Sequence, residues 1–313
     1  MNPAAPPLVT VVINAYNGAQ YLREAIESVY AQSLQDFEIV LFDDASTDAT
    51  PEIARGFDKR LRYARSEQLI PLGEARNMAL ALARGKYISF LDQDDLFLPK
   101  KLERQVAAFQ GDVALVFSNS IQLWEKTGKE VLHYRSRPAD GDAFRALLRW
   151  YYLSINTVMI RRDALPEDRN WWFPSTFRMC EETDLFLRLA YKYPIAYVDE
   201  PLAKYRIHDK NFSKCHREFL VIEENAIMER LAGLIPDFTS RYADEISVYR
   251  AEIRRAEAQI RWKEGRRCGA WTAYLDALRL NPRAVYLCEL LLSVFFPIEV
   301  LRAVRQWIGK PAI

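Results

Sequence analysis

The chain has 313 residues and is 50% hydrophobic, 27% charged and 12% aromatic, a composition that provides a core and excludes disordered, collagen-like and low-complexity classes. Lys+Arg 43 against Asp+Glu 42 leaves a formal net charge of +1, so no global basic field draws it to nucleic acid, which is not expected as a partner. Cys180, Cys215, Cys268 and Cys288 are scattered without a C-x-x-C pair, which argues against a zinc ribbon or disulfide framework and for a reducing, cytoplasmic compartment.

The opening Met1-Asn2-Pro3-Ala4-Ala5-Pro6-Pro7 lacks the basic and apolar stretches expected of a signal peptide. Leu8–Ile13 is a short β-branched run and reads as a buried strand, broken at Asn17-Gly18. Tyr21, Leu22, Ala25, Ile26 and Val29 then recur at helical spacing. Phe37–Phe42 is a second buried strand, and Thr50-Pro51 has the N-cap and N1 character of a helix start. A weak strand over Leu61–Ala64 precedes a helix over Leu72–Arg84, which Gly85 is expected to end. Tyr87–Leu91 is the next strand, Pro99 opens a helix through Phe109, and Val113–Ser118 is strand again. This alternation predicts a mainly parallel, doubly wound α/β sheet flanked by helices, with ligand sites beyond the carboxyl ends of the strands.

After about residue 215 the pattern becomes helical, rich in Arg and Glu from Glu218 to Leu278, so the expected domains are 1–214 and a helical region 215–313. Ala270–Pro282 resembles half of a helical-repeat unit. Ala284–Trp307 is the most apolar segment, but Glu289, Pro297 and Glu299 interrupt it, so it falls short of the uncharged run of about 18 residues expected of a spanning helix. Arg279, Arg283, Arg302, Arg305 and Lys310 flank it. Two readings stay open: a helix in the membrane interface, giving peripheral contact through 284–310 at the inner face of the membrane, or a helix packed on its own domain.

Acidic residues gather at the predicted carboxyl ends. Asp92-Gln93-Asp94-Asp95 follows the strand Tyr87–Leu91; if its loop turns so that the carboxylates converge, it makes a hard oxygen site for Mn²⁺ or Mg²⁺ with room for a diphosphate. The bland alternative is a solvated turn. Asp43-Asp44 can accept hydrogen bonds from a nucleobase or ribose, whereas Ser46, Thr47 and Asp48 read as a turn leading into the next helix. Glu181, Glu182 and Asp184 precede Leu185, Phe186, Leu187 and Leu189, which places them in a first helical turn, where the helix dipole alone favours acids. Trp171-Trp172-Phe173 is either an aromatic wall for a sugar or core. Arg161-Arg162 and Lys100-Lys101 read as solvated charge, and Asn211-Phe212-Ser213 is a sequon only in a secreted context.

Val11-Val12-Ile13-Asn14-Ala15-Tyr16-Asn17, Tyr21-Leu22 and Ser28-Val29-Tyr30-Ala31-Gln32-Ser33 resemble the opening of family 2 glycosyltransferases, which have the nucleotide-sugar-binding GT-A fold. The resemblance continues in order through Asp43–Asp48, Gly73-Glu74-Ala75-Arg76-Asn77, Leu91–Asp95, Pro99–Glu103, Glu181–Leu185 and Tyr205-Arg206-Ile207-His208, covering about residues 8 to 213. It implies that Ala15, Tyr16 and Asp44 line a nucleoside pocket, that Arg76 and Asp92 lie near the donor, and that Asp94 and His208 hold the divalent cation. It also implies that Glu182 is the base; Glu181 beside it and, from the aromatic run, Trp172 are the acceptor-side candidates. Two positions depart from the family's pattern: Asn14-Ala15 stands where Pro-Thr is common, and Glu181-Glu182 where Glu-Asp is usual.

The function so implied is an inverting, metal-dependent transfer of a sugar from a UDP-linked donor to a saccharide or lipid-linked saccharide, as in polysaccharide and cell-envelope synthesis. The apolar, Arg-flanked tail directs the acceptor expectation to membrane-linked saccharides. A nucleotidyltransferase and a non-catalytic nucleotide-sugar-binding scaffold are the rival classes.

Overall fold

The computed structural model describes residues 5–169 and 172–295. Residues 1–4, Trp171 and the tail carrying Pro297, Glu299, Arg302, Arg305 and Lys310 lie outside the described residues. Two compact units are present, Met1–Ala143 with Leu153–Asp209, and Phe144–Tyr152 with Lys210–Ile313.

In chain order the elements are β1 (Val9–Ala15), α1 (Leu22–Tyr30), β2 (Phe37–Asp43), α2 (Thr50–Arg55), β3 (Leu61–Arg65), α3 (Leu72–Ala81) and β4 (Tyr87–Asp92). There follow β5 (Leu96–Phe97), α4 (Lys101–Ala107), β6 (Leu115–Trp124), β7 (Lys129–Leu132), α5 (Phe144–Arg149), β8 (Met159–Arg161), α6 (Glu181–Lys192) and β9 (Ile195–Ile207). All strands belong to one sheet in the first unit, ordered β3-β2-β1-β4-β8-β6-β9-β5, with β7 on β6.

The half built from β1 to β4 is parallel, as the strand–helix alternation requires. The rest is mixed: β8 runs antiparallel to β4 and β6, while β9 is parallel to β6 and antiparallel to β5. Alternate residues of β1 and β2 (Val9, Val11, Ile13, Phe37, Ile39, Leu41) share a buried cluster with Leu22, Ala25, Ile26 and Val29 of α1. Burying each large aliphatic chain contributes about 1.5–3 kcal/mol, so this face anchors the sheet. Strand register then sets the site: Ala15 pairs with Asp43 across β1 and β2, and Asn14 pairs with Asp92 across β1 and β4. Three strand ends therefore open onto one edge.

Several element limits differ from the sequence expectation for local reasons. α3 stops at Ala81, short of Arg84, because the Arg84 and Gly85 backbone N–H groups are taken by Glu38 and Thr10 at 2.9 and 2.8 Å. Gly85 is instead a close-approach glycine, since a Cβ there would lie 2.4 Å from the Thr10 nitrogen. Thr50 is the first residue of α2 and not its cap; its hydroxyl accepts from the Gly18 N–H at 2.9 Å. α4 begins at Lys101, two residues after Pro99.

The second unit consists of α5 with α7 (Phe212–Cys215), α8 (Glu218–Leu234), α9 (Phe238–Arg241), α10 (Ala243–Lys263), α11 (Arg267–Leu280) and α12 (Ala284–Phe295). Tyr286 of α12 is fully buried against Ala251 and Ala277, and Glu289 receives Arg255 at 3.0 Å. This stretch of α12 thus packs on its own unit, while Leu287 and Leu291 stay about half exposed. Among the described residues no helix is long and apolar enough to cross a membrane.

Candidate active site

β4 delivers Asp92 to the sheet edge, and the chain then turns, with the Asp95 N–H donating to the Asp92 carbonyl at 3.1 Å. The convergence that the acidic motif needs follows from this turn. Asp95 is its latch: fully buried, it accepts from Asn156 Nδ2 at 2.6 Å and from the Arg206 N–H at 2.9 Å. Asp94 lies beside His208, Oδ2 to Nε2 2.9 Å. His208 follows β9 directly and stacks on Tyr21 of the loop before α1, centroids 5.0 Å apart. Arg206 lies over the Tyr21 ring, 4.8 Å from its centroid, and donates to the Asp94 carbonyl at 3.0 Å. Burial, together with the Asp92 charge, pushes Asp94 above the usual carboxylate range although His208 opposes the shift; burial and the Asp94 charge push Asp95 higher. Among the described residues no cluster of three metal-ligating side chains occurs. Asp94 and His208 fit an ion that takes its remaining ligands from diphosphate and water.

Arg76, on α3, is the hub of the second cluster. It is 4% exposed and touches three carboxylates: Glu181, Asp92 at 2.9 Å and Glu182 at 3.5 Å. These carboxylates keep the guanidinium firmly protonated despite the opposing effect of burial. Glu181 is fully buried in this ion pair. The Glu182 Oε2 atom accepts no hydrogen bond among the described residues, and burial with the adjacent Glu181 charge raises its pKa well above the ordinary range. Asp184 is instead sealed by Arg188 of the same helix at 2.7 Å.

The motif around Arg76 also fixes where α6 starts. Gly73 donates its N–H to the Phe177 carbonyl at 2.9 Å, and a Cβ on it would lie 2.0 Å from the Pro174 oxygen. Asn77 closes a reciprocal pair with the Phe173 backbone, 2.8 and 2.9 Å. Both residues therefore pin the segment that leads into Glu181.

Ala15 and Asp44 are joined by the Asp44 N–H, which donates to the Ala15 carbonyl at 2.8 Å. The Asp44 carboxylate accepts from Ser66 Oγ at 2.9 Å and the Ile70 N–H at 3.1 Å, and burial raises its pKa. Tyr16 is 46% exposed, with its backbone gripped at both polar atoms by Gln93 at 2.9 and 3.2 Å. Asn17 accepts from the Thr47 N–H, Ser46 accepts from the Asn17 N–H, and Asp48 accepts from the Ala19 and Thr50 N–H groups. Ser46, Thr47 and Asp48 thus tie two loops together. Ala45 holds a left-handed φ of 54° beside this knot, a conformation that costs a non-glycine residue on the order of 1 kcal/mol or more.

The structure accordingly brings Arg76, Asp92, Glu181 and Glu182 together, and Asp94 of the loop after β4 against His208 after β9, with Ala15, Tyr16 and Asp44 at the neighbouring strand ends. Trp172 is 9% exposed; its indole donates to the Pro166 carbonyl at 2.8 Å and its own carbonyl accepts from Arg188 at 2.6 Å, linking it to Asp184. Sequence reasoning named Gln93, Asp95 and Asn14 but missed what they do: the grip of Gln93 on the Tyr16 backbone, the latch of Asp95, and the buried amide of Asn14, whose Nδ2 has no hydrogen-bond partner among the described residues. The available signal for Asn14 was a lone amide at the end of an apolar strand. Lys101, read as solvated charge, is fully buried, its ammonium bonded to Ser89 Oγ at 3.0 Å and to Gln105.

Solved structures share this architecture. The chain is similar to S. aureus TarS 1-349 in complex with UDP-GlcNAc, with TM-score 0.57 and 17% identity over 88% of this chain and 92% of that one. It is also similar to the mannosyltransferase PcManGT from Pyrobaculum calidifontis in complex with GDP-Man and Mn²⁺, with TM-score 0.63 and 18% identity over 97% and 84%. The fold is therefore of the α/β GT-A class. Residues 10–172 match the model of Glycosyl transferase family 2, and the chain belongs to that family. Similar sequences include an uncharacterized glycosyltransferase of Rickettsia felis, 34% identical over 64% of this chain and 33% of the relative. The putative teichuronic acid biosynthesis glycosyltransferase TuaG of Bacillus subtilis is 30% identical over 66% and 82%. The putative glycosyltransferase EpsH of the same organism is 26% identical over 79% and 73%. The matched region spans about a third of the length of the rickettsial relatives.

Proposed function

We propose that the chain transfers a sugar from a nucleoside-diphosphate donor to an acceptor hydroxyl, inverting the anomeric centre. The observation that carries this reading is the Arg76 cluster, which sets Glu182 against Asp92, the first carboxylate of the donor loop. Ala15, Tyr16 and Asp44 form the nucleoside side; Arg76 and Asp92 border the donor. Glu182, with its raised pKa and an oxygen that accepts no hydrogen bond, takes the proton of the acceptor hydroxyl as that oxygen attacks the anomeric carbon. The bond from that carbon to the diphosphate breaks, and the nucleoside diphosphate leaves with the electron pair. Asp184 cannot serve as readily, being held by Arg188.

Glu181 acts through Arg76 and orients Glu182 from beneath, and Trp172 shapes the loop that borders the acceptor. Asp94 and His208 would hold Mn²⁺ or Mg²⁺, which when bound neutralises charge on the leaving diphosphate. The donor class includes UDP sugars, as TarS is solved with UDP-GlcNAc, and GDP sugars, as PcManGT is solved with GDP-Man. A saccharide, free or lipid-linked, is the acceptor. Peripheral membrane contact through 284–310 rests on the exposed Leu287 and Leu291, and loss of membrane sedimentation on deleting 284–313, or on Leu287→Ser with Leu291→Ser, would support it.

Calorimetric titration of UDP, GDP and their sugars, with and without Mn²⁺, tests the donor site. Metal-dependent binding that vanishes in Asp94→Ala supports the proposal; no binding of any nucleotide would sink it.

A further inference from the structure

A cavity of about 260 Å³ lies wholly within the helical unit, between α5, α8 and α10. That volume is just below the roughly 300–1,000 Å³ of pockets for drug-sized ligands, which suits one ring better than a nucleotide. Two groups lining it have no internal partner among the described residues: the Tyr249 hydroxyl, on a side chain 6% exposed, and the buried Oε2 of Glu224. Leaving a buried polar group unpaired is costly, and each such group in a folded protein calls for an explanation.

The charges around the cavity narrow what could satisfy them. Arg149 pairs with Glu245 at 3.3 Å, and Arg255 pairs with Glu252 at 2.7 Å and Glu289 at 3.0 Å, so these guanidiniums already have carboxylate partners. With Glu252 paired to Arg255, the lining offers an ammonium no free carboxylate. Glu224, pushed up to about 8 by burial and the adjacent Glu223, is mostly a neutral carboxyl at pH 7, able both to donate and to accept. Such a carboxyl and a phenol pair best with hydroxyl groups, which also do both. Trp150 is also on the lining, and an indole is a side chain on which a pyranose ring can stack.

We infer that this cavity is a carbohydrate subsite separate from the Arg76 cluster, taking a single neutral pyranose unit through hydroxyl contacts to Glu224 and Tyr249. The inference does not depend on the catalytic reading, because every residue it uses belongs to the helical unit.

The test is titration of the full chain with glucose, galactose and N-acetylglucosamine at millimolar concentrations, followed by methyl chemical shifts of Leu220, Val221 and Ile253 and by saturation-transfer NMR. Saturable shifts at those methyls are expected, with affinity weakened about three- to tenfold in Tyr249→Phe and Glu224→Leu, the loss of one or two neutral hydrogen bonds, and unchanged in Asp94→Ala. Absence of saturable shifts at the three methyls in the unmodified chain would overturn the subsite, whatever the variants do. Equal binding by folded Tyr249→Phe and Glu224→Leu would also overturn it, as would binding lost only in Asp94→Ala.

Discussion

Replacing Arg76 with methionine tests the cluster on which the catalytic reading rests. The side chain is about 5% exposed, Glu181 is fully buried, and Asp92 and Glu182 approach the same guanidinium at 2.9 and 3.5 Å. At an effective dielectric of about 20, one unit pair at such a distance interacts by roughly 5 kcal/mol before desolvation. Breaking a buried pair by removing one partner leaves an uncompensated charge, and the net loss is about 3–5 kcal/mol. The loss depends on pH with a defined sign. Arg76 is what opposes the raised pKa of Glu182, so the folded variant holds a proton to higher pH than its unfolded chain. The folded wild type shares that loss up to its own raised Glu182 value, so the extra loss in the variant appears only as pH rises beyond that value. Urea unfolding should therefore show a deficit that widens on the alkaline side of the wild-type Glu182 titration, by about 1.4 kcal/mol for each unit of additional shift. A deficit below about 1 kcal/mol, or one that narrows as pH rises, would refute the electrostatic account of the cluster.

Three further substitutions probe the supports. Gly73→Ala places a Cβ 2.0 Å from the Pro174 oxygen, a backbone atom, so the loop before α6 must move; a loss of about 1–3 kcal/mol is expected and is read from the melting temperature, with a lower kcat. Asn77→Ala leaves the Phe173 N–H and carbonyl without their partner and should lose about 1–3 kcal/mol, lowering kcat more than it changes KM. Lys101→Met removes an ammonium whose pKa burial holds well below that of free lysine. The wild type therefore gains stability as pH rises towards the free-lysine value of about 10.4, and the variant's advantage should shrink from pH 7 to pH 10. Melting curves showing the advantage growing instead would contradict that assignment.

The parallel half of the sheet was legible because each strand there is a β-branched or aromatic run closed by polar residues, and because period-2 and period-3.6 patterns report burial directly. The positions of Asp92, Asp94 and Glu182 followed from that same punctuation. What escaped was decided by partners remote in sequence. The Arg76–Glu181 contact joins residues 105 apart, and the latch of Asp95 on Arg206 joins residues 111 apart. Local pattern carries no trace of either. Lys101 sits in a doublet that resembles a solvated surface, and only the packing of α4 against Ser89 shows that one of the two is buried. The end of α3 was misplaced because its terminator is not Gly85 itself but Thr10 and Glu38, on strands far upstream. Segment 144–152 joins the helical unit although the sheet continues after it, a division that no composition change marks.

The most direct measurement of the central claim is product formation from a nucleotide sugar and a panel of saccharide acceptors, comparing the wild type with Glu182→Gln. The account predicts release of nucleoside diphosphate by the wild type, with turnover reduced about 10²–10⁴-fold in Glu182→Gln and donor affinity preserved. Wild-type turnover in Glu182→Gln, or inorganic diphosphate in place of nucleoside diphosphate, would contradict it.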